Sequence, residues 1–447
     1  MKKNLQITFI LLLVPMIGLF AKPNLEQTEI TFFDKIVFYD MYASVINESV
    51  PEGVIRHAND RYAIKIKDEQ LALFGKQIQM NITIGALCDN YDRIAGVELA
   101  FVPKGSITYD TKAVRKIEVG RFITPFMNKN KQPTEVPYSF DVNNIYYILN
   151  DENLKNQYDF WIEFRVHGVP YAAQNEVAGC SGRIDTFEGT LKFITSDANE
   201  NPDEFKYFFP LLSDVSLNNY DATDVPGETI RLIDFYLENP IESGSFFLIT
   251  SNHGANTGGE EYVRRQHFVY LNDQEIYTYK PGGKSCEPYR QYNTQGNGIY
   301  GANPQSEAWW TNWNNWCPGD AIPIRRIDVG NLNSGQYTFK LDVPDAVFNQ
   351  QQGYIPVSLY FQAKTELLSI TDVRTTDVKI YPNPASDFVE LETKEAIEKV
   401  EIYGINGELI ISSSTKRTEI KSLKNGVYIL KATLNNGQKF SHKIIKN

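Results

Sequence analysis

The chain lacks most of the residue patterns on which metal and nucleophile sites depend. Its 447 residues include five histidines, none of them in a His-Glu-x-x-His or His-x-His arrangement, which argues against zinc hydrolases and clustered-histidine copper enzymes. It contains no Gly-x-Ser-x-Gly nucleophile elbow and no phosphate-binding glycine loop before a helix. We therefore expect no metal and no other cofactor. Carboxylates remain as the abundant reactive groups.

Positive charge is also scarce. The chain has 44 Lys and Arg residues against 55 Asp and Glu residues, and its formal net charge is −11. Such a surface repels polyanions, so we expect neither nucleic acid nor an anionic membrane among its partners.

The apolar run at residues 7–20 is shorter than the ~18–20 residues of a membrane helix. It follows two lysines and precedes Ala21, which together is typical of a secretory signal peptide covering residues 1–21. We therefore expect an exported protein without a stable membrane span.

The chain has only four cysteines, and an exported chain of this kind favours two disulfides. Cys286 and Cys317 are the obvious pair. Cys88 and Cys180 are then left to pair with each other. A catalytic thiolate is the less favoured alternative.

Strand signals dominate the rest of the chain, while helical periodicity is scarce. Residues 246–250 form a buried apolar run, residues 267–279 resemble a hairpin around Asn272-Asp273, and residues 337–343 alternate with period two. We expect an all-β protein, divided into residues 22–200, 201–365 and 375–447 with a linker at 366–374. Each of the first two segments is large enough for an eight-stranded antiparallel jelly roll, and the third is a small β-sandwich.

The C-terminal segment carries two specific motifs, Tyr381-Pro-Asn-Pro-Ala-Ser-Asp387 and Asn425-Gly-Val-Tyr-Ile-Leu-Lys431. In combination they resemble the sorting domain of the type IX secretion system. The resemblance implies the type IX machinery as a partner and export through the periplasm and outer membrane, followed by release or surface attachment. The alternative is a sugar-binding accessory module.

The loop between Cys286 and Cys317 contains four of the five tryptophans and six asparagines. Indole faces cover the apolar faces of sugars and amides bond hydroxyl groups, so this composition suits a carbohydrate. The alternative is a loop attached to a sheet, with its tryptophans filling a core.

Three stretches carry carboxylates that could take part in acid–base chemistry. They are Asp92 beside Arg93, Glu163 within residues 160–166, and Glu260-Glu261. Strand alternation places Trp161, Glu163 and Arg165 on one face, and it allows only one of the two adjacent glutamates to face a cleft. The alternative for each is a solvated face or an ion pair.

Several of these residues also resemble the peptide-N-glycosidase F family. The motifs are Cys-Asp-Asn-Tyr-Asp-Arg at 88–93, Gly-Arg-Phe-Ile-Thr-Pro-Phe at 120–126, Trp-Cys-Pro-Gly at 316–319 and Arg-Ile-Asp-Val at 326–329. The resemblance spans about 80–330 and implies two adjacent jelly rolls with an active site in the cleft between them. It implies Asp92 as the principal catalytic carboxylate, Glu261 as the group that holds or polarises the water or leaving group, and Glu163 as a substrate-positioning group.

The same resemblance implies a metal-free, monomeric amidase acting on N-glycosylated proteins or glycopeptides. It implies that Arg93, and either Arg325 or Arg326, contact sugar or peptide. Further candidate substrate-binding residues are Trp161, which could replace a tryptophan of the family, together with Trp316 and His253. A catalytically inactive glycan-binding protein and a structural adhesin are the competing hypotheses.

Overall fold

The computed structural model describes residues 27–197, 204–217, 230–255, 259–346, 348, 353–364, 379–393, 396–404, 409–435 and 439–447. The predicted signal peptide, the linker at 366–374 and the predicted boundaries near residues 200 and 365 lie outside these described residues. The chain divides into two compact units, Met1–Leu368 and Ser369–Asn447.

The larger unit is built from antiparallel strands, which confirms the all-β prediction. The first half contains β1 (Thr28–Tyr39), β2 (Val54–Ala58), β3 (Arg61–Lys65), β4 (Gln77–Ala86), β5 (Ile94–Pro103), β6 (Arg115–Ile123), β7 (Glu135–Asp141), β8 (Tyr158–Val166) and β9 (Asp185–Ser196). The second half contains β10 (Tyr207–Ser216), β11 (Ile230–Leu237), β12 (Ile241–Thr250), β13 (His267–Leu271), β14 (Gln274–Tyr279), β15 (Ala321–Ile322), β16 (Arg325–Leu332), β17 (Gly335–Asp342) and β18 (Pro356–Lys364).

Each half is a pair of sheets with an aromatic core between them. The first half has one sheet in the order β1-β9-β4-β7 and another in the order β15-β6-β5-β8-β3-β2. Phe38 of β1 contacts Phe164 of β8 edge to face at 5.1 Å, which joins these two sheets. The second half pairs β10-β18-β12-β16 with β11-β17-β13-β14, and Phe235 of β11 packs on Phe246 of β12 at 5.8 Å.

The predicted hairpin is present as β13 and β14. Its turn residues Asn272 and Asp273 have φ angles of 49° and 63°, the left-handed values that a two-residue hairpin turn requires and that these residue types tolerate. The predicted strands at 246–250 and 337–343 fall within β12 and β17, with Val343 one residue beyond the end of β17.

The two halves are joined across sheet boundaries. The two residues of β15, which follow the Cys286–Cys317 loop, pair with Phe122 and Arg121 of β6 and so extend a sheet of the first half. The Arg121 side chain is fully buried and makes a bidentate ion pair with Glu118 at 2.8 and 2.6 Å. Arg121 also donates to the second half, to Ser251 Oγ at 3.0 Å and to the Pro356 carbonyl at 2.7 Å. This network joins the two halves, because separating them would leave the Arg121 donors without the Ser251 hydroxyl and the Pro356 carbonyl that accept from them.

Helices in the larger unit are short. They are α1 (Asp68–Leu71), α2 (Ile145–Leu149), α3 (Glu152–Gln157), α4 (Tyr171–Glu176) and α5 (Glu307–Trp313), with one 3₁₀ turn at Glu287–Tyr292. Within the described ranges, no helix has the length and apolar character needed to cross a membrane.

The smaller unit contains β19 (Lys379–Tyr381), β20 (Phe388–Glu392), β21 (Ile397–Gly404), β22 (Leu409–Ser413), β23 (Arg417–Glu419), β24 (Gly426–Leu434) and β25 (Lys439–Lys446). They form sheets in the orders β19-β20-β23 and β22-β21-β24-β25. Aliphatic residues from both sheets, including Leu391, Ile402 and Leu430, make up one core.

Candidate active site

Asp92 lies in a loop that leads directly into β5. Cys88 anchors the start of this loop through a disulfide to Cys180. The fully buried Asp89 shapes it by accepting hydrogen bonds from the backbone N–H groups of Tyr91 at 3.0 Å and Val169 at 2.7 Å. The sequence therefore folds here into a tight turn that presents Asp92 at the end of a central strand.

Arg93 is held by the same aspartate. Its Nε and Nη2 donate to the two carboxylate oxygens of Asp89 at 2.7 and 3.2 Å, and Nη2 also donates to the Val169 carbonyl at 3.2 Å. Its backbone N–H donates to Thr124 Oγ1 at 2.7 Å. Among the described residues Nη1 has no partner, so a positioned guanidinium retains donors beside Asp92.

Glu261 comes from the second half, in the turn between β12 and β13. The carboxylate is 9% exposed and accepts from the Gly254 N–H at 3.1 Å. The Asn315 side chain donates to the backbone carbonyls of Glu261 at 2.6 Å and of Glu260 at 3.1 Å. The disulfide-closed loop therefore holds the glutamate segment in place.

The two adjacent glutamates have different partners. The Glu260 carboxylate is buried and makes a bidentate ion pair with Arg265 at 2.8 and 3.0 Å. The segment is a turn rather than the expected strand. Glu261 is the member of the pair that interacts with Asp92.

Asp92 and Glu261 form an electrostatically coupled pair. Burial raises the pKa of Asp92 well above its ordinary value, and the charge of Glu261 raises it further, while Arg93 opposes the shift. Burial also raises the pKa of Glu261, against the stabilising effects of the Tyr262 hydroxyl, the Gly254 N–H and Arg93. The buried Oδ2 of Asp92 has no hydrogen-bond partner among the described residues. Such a pair retains one proton over a range of pH in which isolated carboxyl groups are ionised.

The structure does not bring Glu163 to this pair. Glu163, 1% exposed, accepts from Arg61 at 2.7 Å, Lys116 at 3.2 Å, Tyr109 at 2.9 Å and Thr111 at 2.7 Å. Glu98 faces it on the neighbouring strand and shares the same two cations. The expected substrate-positioning role of Glu163 therefore stays a prediction, and its saturated contacts favour the ion-pair alternative.

Trp161 lies beside that second cluster rather than beside Asp92. It is buried in a core with Ala63, Ala100 and Val102, and its ring contacts Tyr109 edge to face at 5.4 Å. The predicted common face of Trp161 and Glu163 is thus present, but the tryptophan is packed as a core residue.

Trp316 and His253 support the Glu261 side of the site. Trp316 packs among buried isoleucines and donates from Nε1 to the Asn252 carbonyl at 2.9 Å. The His253 ring lies between Trp316 at 5.7 Å and Tyr354 at 5.2 Å. Burial and the charge of Arg121 hold the pKa of His253 well below its ordinary value, so the ring is neutral. Because Gly254 follows directly, these rings fix the N–H that binds Glu261.

The two arginines of β16 occupy different surroundings. Arg325 stacks over the Tyr279 ring at 4.0 Å, and Arg326 makes an ion pair with Asp328 at 2.7 Å. No described contact joins either arginine to Asp92 or Glu261. Which of the two serves the substrate stays open.

Both predicted disulfides are confirmed: Cys88–Cys180 and Cys286–Cys317. Within the described part of the chain, no cluster of three or more His, Cys, Asp or Glu side chains could hold a metal ion.

Sequence reasoning missed three residues that position the carboxylates. Asp89 stood in the quoted motif but was not assigned a role, and Asn315 was one of six asparagines in the loop. The Gly254 N–H carries no side-chain signal at all. Of these three residues, only Asn315 had a detectable signal in the sequence, which was the high amide content of the Cys286–Cys317 loop.

Three family models match the chain. "Peptide-N-glycosidase F, N terminal" matches residues 29–184, and "Peptide-N-glycosidase F, C terminal" matches residues 220–362. "Secretion system C-terminal sorting domain" matches residues 379–447. A search of curated protein sequences found no match to this chain.

Solved structures share the fold at low sequence identity. PNGF-II, crystallised in space group C2, has 16% identity and a TM-score of 0.56, over 76% of this chain and 65% of its own. This chain therefore spans slightly less than two thirds of PNGF-II. PNGase F, a glycosylasparaginase from Flavobacterium meningosepticum, has 16% identity and a TM-score of 0.49, over 76% of this chain and 97% of its own.

Proposed function

Because this chain belongs to the peptide-N-glycosidase F family, we propose that it is an amidase of N-glycoproteins, which hydrolyses the bond between asparagine and the first N-acetylglucosamine. Its C-terminal unit is a secretion sorting domain, so the protein is exported by the type IX system and is secreted or attached to the cell surface. The observation that carries the proposed chemistry is the coupled Asp92–Glu261 pair, with one carboxylate from each half.

The two carboxyl groups are in different protonation states: Glu261 is ionised and Asp92 is protonated. Glu261 ionises first, since the Gly254 N–H, the Tyr262 hydroxyl and the Arg93 charge all favour its anion. That negative charge then keeps the proton on Asp92. One carboxylate and one carboxylic acid therefore act together, as hydrolysis of an amide requires.

Glu261 is the proposed general base. Its carboxylate takes a proton from water while the water oxygen adds to the carbonyl carbon of the substrate asparagine. Negative charge develops on the carbonyl oxygen, and Arg93 donates to it from Nη1. A preorganised donor of this kind lowers the barrier most in a site sheltered from solvent.

Asp92 is the proposed general acid. It gives its proton to the amide nitrogen, which is a poor leaving group unless protonated, and the carbon–nitrogen bond breaks. The asparagine becomes aspartate, and the glycan leaves as a glycosylamine that decays to the free sugar. After this step Asp92 is ionised and Glu261 holds the proton that it took from water. Transfer of that proton to Asp92 returns the pair to its starting state.

The test is incubation of the purified chain with a denatured N-glycoprotein, followed by mass spectrometry of peptide and sugar. Conversion of the glycosylated asparagine to aspartate with release of the intact glycan supports the amidase. A single sugar left on asparagine would instead mean cleavage between sugars. Parallel reactions with Asp92→Asn and Glu261→Gln serve as matched controls and should release glycan at least about 10²-fold more slowly.

A further inference from the structure

Three aromatic side chains form a partly exposed row that begins at the active site. They are Tyr262, Trp313 and Trp309, and we call them the aromatic platform. Tyr262 follows Glu261 in sequence, and its hydroxyl favours the Glu261 anion, which acts to lower the pKa of that carboxyl group. Tyr262 and Trp309 are 39% and 38% exposed.

The rings are spaced as a continuous surface. The centroid of Trp313 lies 5.8 Å from that of Tyr262, at an interplanar angle of 49°. On its other side, Trp313 stacks on Trp309 at 5.8 Å and 17°. These separations are those of rings in direct contact. The platform therefore leads outward from Glu261 without interruption.

The platform is supported by its own small core. Trp309 and Trp313 lie four residues apart on α5 and so share a face, while Trp310 is buried on another side of the helix. Trp310 packs on Tyr300 at 5.2 Å and donates from Nε1 to Glu287 at 2.8 Å. The Cys286–Cys317 disulfide belongs to the same core.

Burial explains these two tryptophans only in part, because Trp313 is partly buried against the core of the loop while Trp309 is 38% exposed. Trp310 already fills the core beneath the helix, and the outer rings keep part of their surfaces in solvent. Flat indole and phenol faces suit the apolar C–H faces of pyranose rings, and the exposed amide of Asn312 lies on the same helix. Because Glu307 is the only charged residue of α5, the surface suits a neutral ligand better than an ionic one.

We propose that the aromatic platform is a sugar-stacking subsite, which binds a pyranose ring of the glycan beyond the one bonded to asparagine. This inference rests on the proposed amidase function, because continuity with Glu261 is what selects a glycan as the occupant. It assigns substrate recognition to the disulfide-closed loop and catalysis to the Asp92–Glu261 pair.

The first test uses two glycopeptides with the same peptide, one bearing a full N-glycan and the other a single N-acetylglucosamine. In the Trp309→Ala/Trp313→Ala variant, KM for the full glycan should rise roughly tenfold, while KM for the single sugar stays unchanged. Tyr236→Ala is the matched control, since Tyr236 is an exposed aromatic of β11 without a ring contact to the platform among the described residues. An equal rise in KM for both glycopeptides would indicate peptide binding and overturn the proposal.

The second test needs neither turnover nor a folded variant. The free oligosaccharide is titrated into the intact chain, and the indole Nε1–H signals of its five tryptophans are followed by NMR. The signals of Trp309 and Trp313 should shift, while that of Trp161 should not. Such shifts without amidase activity would retain the platform and reject the proposed function. Amidase activity with no shift at saturating sugar would reject the platform and retain the function.

Discussion

Two pairs of carboxyl groups lie close to β5, and they differ in the cations that surround them. Glu98 and Glu163 share Arg61 and Lys116, and Glu98 also accepts from the Ser213 hydroxyl. Despite burial, these cations lower the pKa of Glu98 to about 2. Arg93 is the one cation among the described residues that acts on the pKa values of Asp92 and Glu261, and burial raises both values against it.

The difference shows where chemistry is possible in this fold. A carboxylate with every oxygen paired cannot exchange protons near neutral pH, because ionisation is strongly favoured and its lone pairs are occupied. A buried carboxyl group with an unpartnered oxygen can do so. The two pairs differ in the number of cations beside them, so we infer that the supply of cations decides between structural and catalytic roles.

The largest expected effect separates activity from stability at Asp92. Asp92→Asn should lower kcat by about 10²–10⁴-fold through loss of the acid. It should also raise the melting temperature at neutral pH, because a carboxyl group whose pKa is raised in the fold lowers stability at any pH above its ordinary pKa of 3.8. Glycan release and thermal unfolding of the same preparation check both. Full activity in this variant would remove Asp92 from the mechanism.

A smaller loss of kcat is expected when Arg93 loses its ion pair with Asp89. Asp89 touches no reacting atom in the proposed mechanism but holds Arg93 in a bidentate pair. Asp89→Asn should reduce kcat roughly 10²-fold through misplacement of Arg93. A decrease confined to KM would contradict a positioning role in the transition state.

A substitution at Glu163 tests whether the Glu98–Glu163 pair is structural while the Asp92–Glu261 pair is catalytic. Glu163→Gln should leave kcat within a few-fold of the parent, since the described contacts of Glu163 lie in the other cluster. It should destabilise the fold by about 3–5 kcal/mol, because Arg61 and Lys116 lose one of their two shared carboxylates. Urea unfolding and kinetics below the transition are the measurements. Loss of turnover in a stable variant would return Glu163 to the active site.

The smallest effect is a pH dependence of stability. The pKa of Glu98 is lowered in the fold from its ordinary 4.5 to about 2, so its stabilising contribution is present above pH 4.5 and is lost as pH falls toward 2. Glu98→Gln should remove that part of the acid dependence. For Asp92 the sign is reversed, so Asp92→Asn should flatten the decline in stability as pH rises. Unfolding free energies measured across pH would show whether the two slopes oppose each other.

Local patterns predicted much of this molecule. Alternation correctly placed Trp161 and Glu163 on one face, and the Asn272-Asp273 pair correctly marked the hairpin turn. The presence of only four cysteines in an exported chain predicted both disulfides. Asp92 and Glu261 were found through motifs that resemble a known family, because neither has a distinguishing local pattern.

The missing parts depend on contacts between distant segments. The partners of Glu163 come from two other regions of the chain, Arg61 and residues 109–116, so sequence alone could not show that its charge is compensated. The Arg121–Glu118 pair was also overlooked, although Arg121 stood in a quoted motif. Its partners Ser251 and Pro356 are more than a hundred residues away.

The two-residue strand β15 has a consequence for how this protein can be divided. A fragment ending before residue 204 would keep Arg121 and Glu118 but lose the hydroxyl and carbonyl groups that receive them, and the outer edge of β6 would be left unpaired. Open strand edges of this kind recruit other chains. We therefore expect the two halves to fold and to be exchanged between proteins only as one piece. An engineered division of this protein should therefore fall between the two compact units, Met1–Leu368 and Ser369–Asn447, and not between the jelly rolls. This holds for gene fusions, split reporters and domain exchanges.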